Sequence, residues 1–387
     1  MRIKGAQIYT SGHRFENLDI LIKGGRIIPD NEDITVMSNQ TVINATGLIA
    51  IPGLVDTHIH GAYGVDFSMA DEAEIEKAAV YEAEHGISVI YPTSMTISEE
   101  NLENMMKRFA SYTADKSHEG AIIPGLHMEG PFLSKIHRGS QDADLMRTPD
   151  IRLYRHMQKL SGGLVSNIVI SPDLPGSMEF ISELNREVKI SIGHTDADYE
   201  TASEAFRNGA SRITHLYNGM PGIHHRAPGP IISALEFGAE AELIADGVHV
   251  HPAMVRLAFK LFPADKIILV SDSIMGTGLT GGCCTLGGRD IFMDGDLAVL
   301  ANDRQTIAGS ITNLFDCMKK AVQEMGIPLE VAVRAASENP ARALGIDKDY
   351  GSLMPGHVAD ILLLDKNLNL KYVIQRGRII ATYATEV

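Results

Sequence analysis

Two histidines one residue apart close an apolar run, Ile51-Pro52-Gly53-Leu54-Val55-Asp56-Thr57-His58-Ile59-His60. On a β-strand, residues i and i+2 share a face, so His58 and His60 can aim two imidazoles at one point. Imidazole is a preferred ligand for zinc, iron and similar ions. A half-buried strand can carry such a pair for packing alone, so the pair draws its weight from its companions further along the chain. Metal-competent or proton-carrying side chains stand at the ends of later apolar runs. They are His127-Met128-Glu129, Gly193-His194-Thr195, Thr214-His215, Asp246-Gly247-Val248-His249 and Ser271-Asp272. One such histidine is ordinarily structural. Five run ends bearing His or Glu, with an Asp on another, are hard to explain by packing.

The elements that must position these groups can be read from periodicity. Apolar strand candidates lie near 54–60, 88–93, 121–128, 166–171, 188–193, 212–216, 241–246 and 267–271. Amphipathic helix candidates between and after them include 71–86, 99–112, 177–186, 198–208, 252–262 and 313–325. Continuous apolar runs such as Ile267-Ile268-Leu269-Val270 suit fully buried parallel strands. Eight strands alternating with helices predict an α/β fold, a closed (β/α)8 TIM-like barrel over residues 51–346. In such a barrel the strand ends converge on one mouth. An open doubly wound sheet is the alternative; no Gly-x-Gly-x-x-Gly follows the first strand of this region. Both termini alternate in short strand-like pieces, with Lys23-Gly24-Gly25-Arg26 as a hairpin turn. Residues 1–50 and 347–387 are therefore expected to pair as one small β-sandwich domain.

Composition narrows the function classes. The chain has 387 residues, 44% hydrophobic and 21% charged, as in globular proteins. A formal net charge of −15 argues against nucleic-acid binding but allows a locally positive pocket for a small anion. No apolar run is long enough to span a membrane, and the start lacks a secretory segment. Of the three cysteines, Cys283 and Cys284 are neighbours and Cys317 stands apart. Adjacent cysteines make poor disulfides, so reduced thiols and a cytoplasmic location are expected.

With these motifs in place, the chain resembles the amidohydrolase superfamily, and within it the N-acetylglucosamine-6-phosphate deacetylase family. The resemblance runs nearly the whole length. It rests on Pro52 to Gly61, His127 to Phe132, Gly193-His194-Thr195, Thr214 to Met220, His224 to Gly229, Asp246 to His249 and Ser271-Asp272-Ser273. Ala308-Gly309-Ser310 and Asn339-Pro340-Ala341 complete the set. Many superfamily members bridge two ions with a modified lysine after the fourth strand. Here Asn167-Ile168-Val169-Ile170-Ser171-Pro172 offers none, and Glu129 can take that place.

The resemblance implies a core metal site of Glu129, His194 and His215. His58 and His60 would hold a second ion, with Asp272 near it and Glu129 bridging. The cofactor would be one or two divalent ions per subunit, zinc or iron. Asp272 would move the proton from water to the departing nitrogen, and His249 would stabilise the oxyanion. Ser140, Gln141, Asn218, Gly219, Ile307, Ala308 and Gly309 would contact the substrate, together with His249. Arg226 would hold a phosphate in the neighbouring subunit's pocket, implying a homodimer. The expected reaction is deacetylation of N-acetylglucosamine 6-phosphate. The galactosamine epimer and cyclic-amide hydrolysis are the competing substrate classes; a scaffold without catalysis is disfavoured by the intact ligand set.

Overall fold

The computed structural model describes residues 1–29, 41–115 and 117–384. Residues 30–40 and 385–387, part of the span expected for the smaller unit, and residue 116 lie outside the described residues. Eight parallel strands form the central sheet: β1 (Leu54–Ile59), β2 (Ile87–Ser94), β3 (Leu126–Glu129), β4 (Val165–Ile170), β5 (Lys189–Ile192), β6 (Arg212–Ile213), β7 (Glu240–Ile244) and β8 (Ile267–Val270). They pair in chain order from β1 to β8.

The two outer strands meet at the top through their C-terminal ends. Asp272 N–H donates to the His58 carbonyl at 2.9 Å, and His60 N–H to the Ser273 carbonyl at 2.8 Å. Asp56 Oδ1 accepts from the N–H groups of both His58 and Ser271, at 3.2 and 3.3 Å. The barrel is thus closed by the main chain of its candidate ligands His58, His60 and Asp272 and of the residues beside them.

Two expected strands are shorter than their apolar runs. The run 121–128 becomes a strand only at Leu126, because Pro124 lacks an N–H for the ladder; upstream, Ile122 makes a single bridge to Val89. The run 212–216 stops at Ile213, where His215 turns to φ 28° and Tyr217 to φ 79°. Helices Ile151–Leu160 and Gly229–Glu236 add to those expected. So does a three-stranded antiparallel insert, Gly282–Leu286, Arg289–Asp294 and Leu297–Leu300, placed after β8.

Both termini build a second, mixed sheet. Its order is Arg378–Thr382, Leu370–Gln375, Ile361–Leu364, Ile49–Pro52, Arg2–Tyr9, Phe15–Lys23 and Arg26–Ile28, with Val42–Asn44 also on Arg2–Tyr9. Strand Ile361–Leu364 serves two cores. Ile361 and Leu363 face Ile3, Ile8, Ile20 and Ile374 in the terminal unit. Leu362 and Leu364 join the barrel core with Ile51, Leu54 and Ile87. The period of two makes this sheet a shared wall.

Candidate active site

Every expected ligand stands at or just beyond the C-terminal end of a barrel strand. His58 belongs to β1 with His60 just past it, Glu129 ends β3, and His194, His215 and Asp272 follow β5, β6 and β8 by two residues. His194, His215 and Asp272 have φ of 44°, 28° and 50°. Non-glycine residues pay about 1–3 kcal/mol for such backbones, and hold them where the surroundings over-determine the turn. Each of the six side chains is nearly or fully buried.

Their ligand atoms converge in two groups. Glu129 Oε1 lies 3.1 Å from His215 Nε2 and 3.3 Å from His194 Nε2, and the two nitrogens are 3.1 Å apart. His58 Nε2 and His60 Nε2 are 3.3 Å apart, and Asp272 Oδ1 is 3.5 and 3.2 Å from them. Glu129 stands between the groups: Oε1 is 3.5 Å from His58 Nε2 and Oε2 is 3.3 Å from His60 Nε2.

The hydrogen bonds behind the rings test whether a cation fits. His60 Nδ1 faces the Thr93 carbonyl at 3.3 Å, His194 Nδ1 the His137 carbonyl at 2.8 Å, and His215 Nδ1 the Asn218 carbonyl at 3.1 Å. His58 Nδ1 faces Glu242 Oε2 at 3.2 Å. These oxygens only accept, so each Nδ1 carries a proton and each neutral ring turns a lone pair inward at Nε2. Four lone pairs and two carboxylates pointing at one another repel unless cations lie between them. Atoms about 2.0–2.1 Å from one zinc ion at tetrahedral angles stand about 3.3 Å apart, and the ligand atoms here keep that spacing. The residues therefore fit one or two divalent ions.

Two further groups flank this centre. Burial raises the Asp272 carboxyl pKa, but the close facing of its Oδ1 by His60 and His58 Nε2, at 3.2 and 3.5 Å, outweighs it and holds the pKa low. His249 Nδ1 faces Asp246 Oδ2 at 2.7 Å. Burial works against a charge on His249, yet Asp246 raises its pKa above the ordinary value.

His60, Glu129, His194, His215, His249 and Asp272 line a cavity of about 290 Å³, walled also by Met95, Ser140, Asn218, Gly219, Leu286, Gln305, Thr306, Ile307 and Gly309. A Cβ on Gly219, at φ 62°, would stand 3.0 Å from His194 Nδ1. A larger groove of about 1010 Å³ between the terminal sheet and the barrel flank holds none of the converging ligands, so size alone does not locate the site.

Two of the expected substrate contacts, Gln141 and Ala308, turn to partners of their own, and Arg226, expected in the neighbouring subunit's pocket, stands apart from this one. Gln141 lines the cavity, but its Nε2 donates to Glu129 Oε2 at 2.6 Å and its Oε1 accepts from Thr96 N–H at 2.7 Å. Ala308 is fully buried in the barrel core, leaving Ile307 and Gly309 in the wall. Arg226 lies on an exposed loop beside His225, 2.8 Å away, and is not among the cavity's lining residues. No lysine or arginine lines this cavity among the described residues.

The sequence pattern of the amidohydrolase family matches residues 49–380. The chain belongs to this family. It is 34% identical over 382 residues to the N-acetylglucosamine-6-phosphate deacetylase of Bacillus subtilis (strain 168), covering 97% of this chain and 96% of that one. It is 31% identical over 330 residues to the N-acetylgalactosamine-6-phosphate deacetylase of Escherichia coli O157:H7, covering 85% and 86%. Its fold is similar to that of a mutant N-acetyl-D-glucosamine-6-phosphate deacetylase from Mycobacterium smegmatis in complex with N-acetyl-D-glucosamine-6-phosphate. That likeness has a TM-score of 0.91 at 30% identity, over 99% of each chain.

The structure of this amidohydrolase also holds groups that the sequence did not single out. Glu242 on β7 backs His58, and Arg212 on β6 holds Glu242 at 3.2 Å. Both read as ordinary strand residues. The only signal was two adjacent apolar strands each carrying a charge where the barrel interior lies. Arg289 in the insert donates to the Ser140 and Gln141 carbonyls at 3.0 and 2.9 Å, a contact no spacing announces.

Proposed function

We propose that this amidohydrolase hydrolyses the N-acetyl amide of N-acetylglucosamine 6-phosphate, giving glucosamine 6-phosphate and acetate. The observation that carries the chemistry is the inward set of four Nε2 atoms with the carboxylates of Glu129 and Asp272, at the floor of a sugar-sized cavity. The named relatives support the substrate. Glu129, His194 and His215 would hold one ion, zinc or iron, and His58, His60 and Asp272 a second. A divalent ion there supplies Lewis acidity toward water and the acyl oxygen.

The chain's own residues do the rest. Asp272 takes a proton from the attacking water and returns it to the sugar nitrogen as the C–N bond breaks. His249, held by Asp246, donates from Nε2 to the acyl oxygen as charge builds there. Ser140, Asn218 and Gly219 would meet the sugar, and Ile307 and Gly309 the acyl side. The phosphate finds no cation in its own cavity wall, so the partner subunit's Arg226 would supply a planar fork across a homodimer. The strand-four end, with Ser171-Pro172 and no lysine, speaks against the lysine-bridged cyclic-amide hydrolases. A cytoplasmic setting suits such a substrate; among the described residues no helix is long and apolar enough to cross a membrane.

The test is a substrate panel with ion analysis on the same sample. Acetate should be released from the phosphorylated glucosamine derivative, far less from its dephospho form, and not after chelation. The galactosamine epimer belongs in the panel because one relative bears that name. Turnover of the epimer alone, or of a cyclic amide alone, would replace this reading.

A further inference from the structure

We infer that Glu242, clamped by Arg212, is the positioning residue that makes His58 a strong ligand, and that it thereby sets whether the second ion is held. This rests on the metal-dependent reaction proposed for the site. Three of the four inward imidazoles lean on main-chain carbonyls, those of Thr93, His137 and Asn218. His58 alone leans on an anionic side chain, Glu242 Oε2 at 3.2 Å. A carboxylate behind an imidazole fixes its tautomer and ring angle and raises its basicity at the opposite nitrogen. Glu242 is fully buried, so its own placement needs holding. Arg212 Nη1 donates to Glu242 Oε1 at 3.2 Å, and Thr57 Oγ1 to the same oxygen at 3.3 Å. Arg212 is in turn anchored by Glu240 Oε2, at 2.9 and 3.1 Å from Nη2 and Nε. The chain of contacts runs Glu240–Arg212–Glu242–His58, from β7 to β6, back to β7 and across to β1.

A competing reading treats His58, His127 and Glu242 as a third ion site, since their ligand atoms also cluster. The contacts disfavour it. A cation there would sit against the Arg212 guanidinium, and His58 would have to bind through both nitrogens. His127 directs Nδ1 to the Thr57 carbonyl at 3.0 Å and leaves Nε2 without a partner, so the case against a third ion rests on Arg212 and on His58. Glu242 serves better as the acceptor behind His58 than as a ligand.

The experiment strips the full-length protein with chelator and titrates Zn²⁺ back, measuring ions bound per chain and the affinity of each phase, with melting curves alongside. Wild type should take up two ions. Glu242→Gln should keep the affinity of the Glu129–His194–His215 phase and weaken the other about 10–100-fold. Arg212→Met/Glu242→Gln removes both charges together, leaves no lone buried guanidinium, and should show the same split even if the single variant folds poorly. Two unchanged phases in these variants would overturn the inference. So would equal loss at both sites, which marks a general structural role, or a wild type that takes only one ion. A wild type that binds no ion at all would instead sink the metal-dependent reaction on which this rests.

Discussion

Asp272 and His249 face one cavity from neighbouring strand ends, and their surroundings prepare them for opposite tasks. The histidines hold Asp272 as a carboxylate able to accept a proton, while Asp246 favours a charged His249 able to donate one. Replacing Asp272 by Asn keeps the shape and removes the acceptor. We expect D272N to retain its ion at Glu129, His194 and His215 and to lose about 10²–10⁴ in kcat, with KM within a few-fold. Steady-state kinetics with ion analysis checks this, and near-normal kcat would remove Asp272 from proton transfer. At this scale the sequence was informative where the chemistry needs rare residue types at strand ends. His58-x-His60 and Glu129 stand out because strand interiors seldom carry them. The groups behind them were not legible. Glu242 and Arg212 act through an interior layer whose pairings depend on which strands become neighbours, and Gln141 turned inward to Glu129 because of a loop path no local pattern encodes.

The barrel strands were legible because buried parallel strands are continuous apolar runs, and helices such as Glu72–Glu84 because apolar residues recur on one face; in the structure Asp71 and Glu74 close its start with a capping box. The insert at 282–300 was not. Its strands are short and glycine-bounded, and Gly282–Leu286 is largely exposed, so the apolar residues of the later two strands stood without a readable partner. Yet it reaches the site: Leu286 lines the cavity, Gly287 N–H donates to Asp66 Oδ2 at 2.7 Å, and Arg289 clamps the Ser140–Gln141 segment. Hydrogen bonds from a charged donor are worth about 1.5–3 kcal/mol each. Arg289→Ala should therefore lower kcat/KM about ten- to a hundredfold without changing ion content, since the ligands stand on strand ends. Unaltered kinetics would show that the insert does not hold this loop.

For the molecule as a whole, the dimer reading predicts complementation. Mixed dimers of Arg226→Ala and Asp272→Asn chains place one intact arginine opposite one intact acid. Two nearly inactive variants, unfolded and refolded together in equal amounts, should recover about a quarter of wild-type activity, half the dimers with half the sites each. No recovery would place the phosphate's cation elsewhere. A second prediction concerns the seam between sheet and barrel. Asp360 is buried there; its carbonyl accepts from Gly53 N–H at 2.9 Å and its Oδ1 from Arg376 N–H at 2.7 Å. Burial lifts its pKa to about 6 despite Arg376 and Ser88. A raised carboxyl stabilises the fold fully below the unfolded pKa of about 3.9 and loses that contribution as pH rises through about 6. Asp360→Asn should match wild type near pH 4 and gain on it up to about pH 7, by about 2–3 kcal/mol. Denaturant melts across that range test it, and a constant difference would refute the assignment.

The strand at Ile361–Leu364, which fills two cores at once, also has a temporal consequence. It follows every ligand and every barrel strand along the chain, so during synthesis these emerge before the strand that covers them. A chain cut before this strand would leave Ile51, Leu54 and Ile87 without Leu362 and Leu364, and it should be an exposed, chaperone-dependent species rather than a smaller enzyme.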